Sequence, residues 1–247
     1  MRGPACVAAA ISAISLPLAA AAQSPAASPS QANGELADEP LVDVAKADPT
    51  IVIDLRYATE RNITGHPIYP PGASCLVRRG VAAKLVSAEK LLRVLGYRLK
   101  IWDAYRPAGA QQILWKLVQN PEVVADPAKG GSRHSWGVAV DVTLVDADGR
   151  DVPMPTDFDD FTAAAKSDYK GADPKIAHNL LVLKNVMDIA GFEGIRDEWW
   201  HYSAKDWLSY GPVPDPEKLM EKTAPAPAPG APPEFPSATV SPLPARP

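Results

Sequence analysis

Proline sets the outer limits of anything this chain can fold. Twelve of its 27 prolines stand after residue 211, in runs such as Ala224-Pro225-Ala226-Pro227-Ala228-Pro229. Each removes a backbone donor and turns its predecessor away from the α region, so residues 212–247 read as an extended, disordered spacer. At the other end, residues 23–39 are rich in Ala, Ser, Pro and Gln without any hydrophobic period, and read as a flexible leader. Ahead of them, Arg2, the apolar stretch from Ala5 to Leu18 and the small residues Ala20-Ala21-Ala22 have the layout of a secretory signal over residues 1–22. That stretch is too short and too Ala-rich to span a bilayer, so a secreted or periplasmic mature chain is expected. One folded domain, residues 40–211, is left between the two ends.

Within it the chain is ordinary globular material, 46% apolar and 22% charged over the whole sequence. The net charge of -4, with acids and bases interspersed, argues against a nucleic-acid partner and fits a small, weakly charged ligand. No later segment is long and apolar enough to cross a membrane. Of the two cysteines, Cys6 falls in the signal and only Cys75 stays in the mature chain, so no internal disulfide is expected there. No neighbouring motif supplies a base for a nucleophilic thiol, and Cys75 reads as a buried or loop residue.

Both structural periods occur inside the window. Ile51 to Leu55, Tyr97 to Trp102 and Val138 to Leu144 have the β-branched or alternating pattern of strands. Val81 to Leu95 places Leu85, Ala88, Leu92 and Leu95 on one helical face and stops at Gly96. A second helix is expected from Pro107 through Leu117. A third runs from Asp173-Pro174 to Ala190 and ends at Gly191, with Pro174 at the position where its missing N–H costs nothing. The order is not a regular βαβ alternation, and it predicts an α+β domain on a largely antiparallel sheet flanked by helices.

Two segments carry the chemistry. A catalytic zinc site needs three N or O ligands and one position open to water. Ser132-Arg133-His134-Ser135-Trp136-Gly137-Val138-Ala139-Val140-Asp141 puts six residues between a turn histidine and a strand aspartate, with Gly137 permitting the sharp entry. Glu198-Trp199-Trp200-His201 supplies a second histidine and a non-ligand carboxylate for the general base. In a flat strand Glu198 and His201 would face opposite ways, so a bulge or strong twist is expected between them. His134 alone would read as a hydrogen-bonded loop histidine, and it is the joint presence of His134, Asp141, Glu198 and His201 that points to a metal centre. The other histidines, His66 in a loop and His178 on the third helix, read as surface or structural residues. Arg106, between a strand and a helix, suits either a surface ion pair or an oxyanion stabiliser.

These motifs, in this order, resemble the D-alanyl-D-alanine dipeptidases of the VanX type, zinc peptidases related to bacterial D,D-carboxypeptidases. Asp54-Leu55-Arg56-Tyr57-Ala58-Thr59 with Asn62-Ile63-Thr64-Gly65 is similar to the family's N-terminal signature, and Trp102-Asp103-Ala104-Tyr105-Arg106-Pro107 to its arginine segment. The resemblance implies one zinc on His134, Asp141 and His201, Glu198 as catalytic base and Arg106 as transition-state stabiliser. It also implies an α+β D,D-peptidase fold, related to Hedgehog-type zinc domains, with a pocket confined to a dipeptide. By the same resemblance Ser132 contacts substrate and Asp159 holds its ammonium group. Around Met154 to Asp159 the sequence departs from the family pattern, with Pro155 where glycine is usual, so Asp157 or Asp160 stands as an alternative to Asp159. Trp136 occupies a position that often carries arginine, which points to a different pocket rim. The functions in view are hydrolysis of the free dipeptide, D,D-carboxypeptidase action on murein stem peptides, and a non-catalytic cell-wall binding module that keeps the metal.

Overall fold

The structure is a computed structural model that describes residue 36 and residues 39–121, 123–129 and 131–213 of the chain. The expected signal, nearly all of the leader and the tail beyond Val213 lie outside the described residues. The domain is α+β. A five-stranded sheet in the order β2-β4-β5-β7-β6 holds β2 (Val52–Ile53), β4 (Tyr97–Asp103), β5 (Ala139–Asp146), β6 (Phe192–Gly194) and β7 (His201–Ala204). Only β2 and β4 pair in parallel, and every other pairing in the sheet is antiparallel. A separate two-stranded ladder joins β1 (Leu41–Asp43) to β3 (Leu76–Arg78).

The helices include α1 (Val44–Ala47), α2 (Arg79–Val94), α3 (Ala108–Val118) and α4 (Pro174–Ile189). In α2 the stripe Val81, Leu85, Ala88 and Leu92 is buried, as its period demands, and the helix stops at Leu95 because Gly96 takes φ +81°. Asp173 caps α4, accepting from the backbone N–H groups of Lys175 and Ile176, with Pro174 in the first turn. Both long helices pack on the sheet and on each other. A cluster of Tyr57, Tyr69, Trp102, Phe158, Trp199 and Trp200, in tilted and edge-on contacts, fills the core below the site.

The three expected helices match within about two residues, while the strand expected over residues 51–55 is cut to Val52–Ile53 because a 3-10 turn, Arg56–Ala58, follows at once. The expected bulge between Glu198 and His201 is not there. Glu198 to His201 instead forms a tight turn, closed by the His201 N–H on the Glu198 carbonyl at 3.3 Å, and β7 begins only at His201. The turn does what the bulge was invoked for, bringing both side chains to one side.

Candidate metal centre and cavity

Strand register builds the site. Asp141 on β5 stands directly opposite His201 on β7. On the other side, the β4–β5 register runs evenly from Tyr97 to Ile101 and then slips, so that Asp103 rather than Trp102 faces Asp141. Asp103, Asp141 and His201 thus lie in one row across three strands. His134 joins them from a 3-10 turn, Arg133–Trp136, whose first N–H groups are capped by Ser132: its Oγ accepts from the His134 N–H at 3.2 Å. Gly137 ends that turn at φ +70°, and a Cβ there would stand 2.5 Å from the Leu41 side chain.

Three ligand atoms converge. His134 Nε2 lies 3.1 Å from His201 Nδ1 and 3.3 Å from Asp141 Oδ1, and His201 Nδ1 lies 3.0 Å from Asp141 Oδ1. Ligands about 2.0–2.1 Å from one tetrahedral ion stand a little over 3 Å apart, so the triangle fits zinc. The outer nitrogens support the same reading. His134 Nδ1 lies 2.8 Å from the Ala104 carbonyl, which only accepts, so the proton sits on Nδ1 and the Nε2 lone pair faces inward. His201 Nε2 lies 3.3 Å from Ser203 Oγ. Electrostatics point to a positive charge at the centre. Burial works against charging His134, yet Asp141 and Asp103 carry it above the usual imidazole value. Burial likewise opposes ionising Asp141, but the two histidines hold it well below the carboxylate range. Two imidazoles and a carboxylate are a donor set suited to zinc.

Around the triangle lies a cavity of about 290 Å³ lined by Glu198, Arg106, Ser132 and Asp159, among others. Glu198 Oε2 is 3.9 Å from His201 Nδ1, and burial pushes its pKa up to about 7 despite the pull of His201. Arg106 is buried, not a surface ion pair. Its Nε and one terminal nitrogen donate to Asp103 Oδ2 at 3.0 and 2.7 Å, the other terminal nitrogen donates to Gln111 Oε1 at 3.0 Å, and the guanidinium lies over the Tyr57 ring. Of the three candidate acids only Asp159 lines this cavity. Its oxygens accept from Tyr57 Oη at 3.2 Å and from the Ile63 N–H at 2.9 Å, and burial raises its pKa to about 7. Asp157 is exposed and paired with Arg56, and Asp160 caps the Thr162 N–H.

Trp136 is absent from the cavity lining; it packs edge-on against Trp207, and Arg133, whose guanidinium lies over Trp207, reaches the rim instead. His66 and His178 are exposed. Cys75 is buried, and burial pushes its thiol well above its usual range, which suits a core residue rather than a nucleophile. Sequence reasoning gave no role to Asp103, which also accepts from Tyr69 Oη at 2.5 Å, or to Gln111 and Ser203. The available signal was spacing: Asp103 ends a strand three residues before Arg106, and Ser203 follows His201 by one strand period.

An α+β domain in which three potential metal ligands converge beside a buried carboxyl and a fixed guanidinium in one cavity has the layout of a metal-dependent hydrolase. A family model described as D-ala-D-ala dipeptidase matches residues 37–219. A D-alanyl-D-alanine dipeptidase of Escherichia coli K12 is 37% identical over 170 residues, covering 69% of this chain and 87% of its own. Enzymes of the same name from Enterococcus faecalis and Enterococcus faecium are 30% and 31% identical, over 66% and 62% of this chain and 88% and 85% of theirs. The chain belongs to the D-Ala-D-Ala dipeptidase family of zinc peptidases.

Proposed function

We propose that this protein hydrolyses the free D-alanyl-D-alanine dipeptide, using one zinc ion per chain held by His134, Asp141 and His201, as an exported enzyme of cell-wall peptide turnover. The observation that carries the reading is the joint presence, in one small cavity, of the ligand triangle, the Glu198 carboxyl and an inward-facing Asp159. Held by His134, Asp141 and His201, a zinc ion would supply Lewis acidity at the scissile carbonyl and make the attacking water more acidic. Glu198 takes the proton from the attacking water and returns it to the leaving amine, a task suited to a group tuned near neutrality. Arg106, immobilised by Asp103 and Gln111, stabilises the charge that develops on the carbonyl oxygen. Ser132 Oγ accepts from the His134 N–H and has its own proton left to contact substrate. Asp159 pairs with the substrate ammonium, since a buried cation without a partner is costly. The small apolar wall of Pro121, Val123, Val124 and Ala125 suits methyl side chains. Export rests on the signal-like residues 1–22.

The test is metal content and turnover measured on one purified sample of residues 23–247. One zinc per chain and hydrolysis of D-Ala-D-Ala in preference to a blocked pentapeptide mimic are expected. Comparable hydrolysis of the longer substrate would make it a D,D-carboxypeptidase, and zinc without turnover a binding module. Glu198→Gln should lower kcat by about 10³-fold with zinc content unchanged; activity within a few-fold of wild type sinks the mechanism.

A further inference from the structure

The motif Asn62-Ile63-Thr64-Gly65 has no part in the chemistry above, yet the Asn62 amide is saturated with hydrogen bonds. Its two Nδ2 protons are shared among the carbonyls of Arg56, Thr59 and His66 at 3.1, 2.7 and 3.1 Å. Its Oδ1 accepts from the Thr64 N–H at 2.8 Å and from Thr64 Oγ1 at 2.7 Å. Thr64 Oγ1 in turn accepts from the His66 N–H, and Gly65, at φ +67°, closes a turn onto the Asn62 carbonyl at 3.0 Å. One side chain therefore knits residues 56–66 into a single shape.

That segment delivers two donors to Asp159. Tyr57, from the 3-10 turn whose Arg56 carbonyl Asn62 binds, supplies the hydroxyl on Oδ1; Ile63, the neighbour of Asn62, supplies the N–H on Oδ2. Asp159 itself sits at φ +58°, a left-handed conformation uncommon for a residue with a side chain. Its carboxyl is held by those two donors, both from residues about a hundred positions away. Ile63 lines the same cavity. The charges facing Asp159 are Arg106, which favours its ionised form, and Asp141 and Glu198, which oppose it. The Ile63 N–H is the strongest of the influences that offset burial there.

We propose that Asn62 is a positioning residue for ammonium recognition: by shaping residues 56–66 it aims the Asp159 carboxylate into the cavity, and so sets the preference for a free over an N-blocked dipeptide. The inference rests on the substrate reading above. It requires that Asn62 act on KM and selectivity and leave the bond-breaking step alone, because no hydrogen bond of Asn62 reaches Glu198, Arg106 or the ligand triangle.

The experiment compares zinc-loaded wild type, Asn62→Ala and the milder Thr64→Val on D-Ala-D-Ala and on N-acetyl-D-Ala-D-Ala, with thermal unfolding recorded for each. Asn62→Ala should raise KM for the free dipeptide about tenfold, the loss expected when one hydrogen bond to a charged group goes. Its kcat should stay within twofold, its kcat/KM on the acetylated dipeptide should not change, and introducing Asn62→Ala into an Asp159→Asn background should cost nothing more. Thr64→Val, which keeps shape and removes the hydroxyl, should move selectivity the same way by a smaller factor and serves if Asn62→Ala does not fold. A wild type that prefers the free dipeptide, with variants that keep that preference or lose both substrates alike, overturns the role of Asn62 only. A wild type that prefers the acetylated dipeptide overturns the substrate reading and this inference together.

Discussion

At Asp159 two demands compete, and their balance sets a pH dependence. Burial raises its pKa to about 7, while the Ile63 N–H, Arg106 and the Tyr57 hydroxyl favour the ionised form. An ammonium needs the carboxylate, so dipeptide KM should rise as pH falls below about 7, and Asp159→Asn should give a high KM that is flat with pH; initial rates from pH 5.5 to 8.5 check this. The stability sign is the reverse of a salt-bridged aspartate. With the folded value above the ordinary 3.8, this group favours folding at low pH, and its contribution is lost as pH rises from about 4 to about 7. At this scale the sequence singled out four groups that the fold brings together, His134, Asp141, His201 and Glu198, because histidine, aspartate and glutamate announce metal chemistry by type. It could not decide among Asp157, Asp159 and Asp160, which differ in where a left-handed backbone at Asp159 and an exposed loop at Asp157 send chemically equivalent side chains. Asp103 went unread for a similar reason: a carboxylate that orients others has no signature apart from its place in the fold.

Elements whose boundaries are set by local chemistry were legible. Gly96 and Gly191 stop α2 and α4, and Asp173-Pro174 opens α4, all by rules that act within a few residues. The short strands β1, β3 and β6 have three residues each and carry too little alternation to be heard, since pairing partners far along the chain make them strands. The register slip in β4 is equally silent, although it is what sets Asp103 and, three residues on, Arg106 against the candidate metal ligands. The turn that carries His134 has its own sensitive point. Gly137→Ala puts a Cβ on a left-handed residue and into Leu41, so a loss of roughly 1–3 kcal/mol in denaturant unfolding is expected, with weaker zinc retention because His134 sits in the turn that Gly137 ends.

Across the whole molecule one residue draws distant segments together. Arg78, almost fully buried, donates to the carbonyls of Trp136 at 3.0 Å and Gly211 at 2.7 Å, and also to that of Glu39. It thereby ties the start of the domain, its end and the turn that holds His134. Replacing it with Leu leaves three carbonyls without this partner, and a loss on the order of 3–5 kcal/mol is expected, read as a drop in the unfolding midpoint with an unchanged slope. The fold was legible at this scale only as a class. An α+β layout followed from the order of periods, but a guanidinium gathering carbonyls up to 133 positions away leaves no local trace.

Because residues 39 and 211 meet at one guanidinium, the backbone is close to a loop already shut. A circular permutant that joins residue 213 to residue 39 through a short Gly-Ser bridge, with new ends opened at the exposed Asp148, should fold cooperatively and take up zinc like the parent.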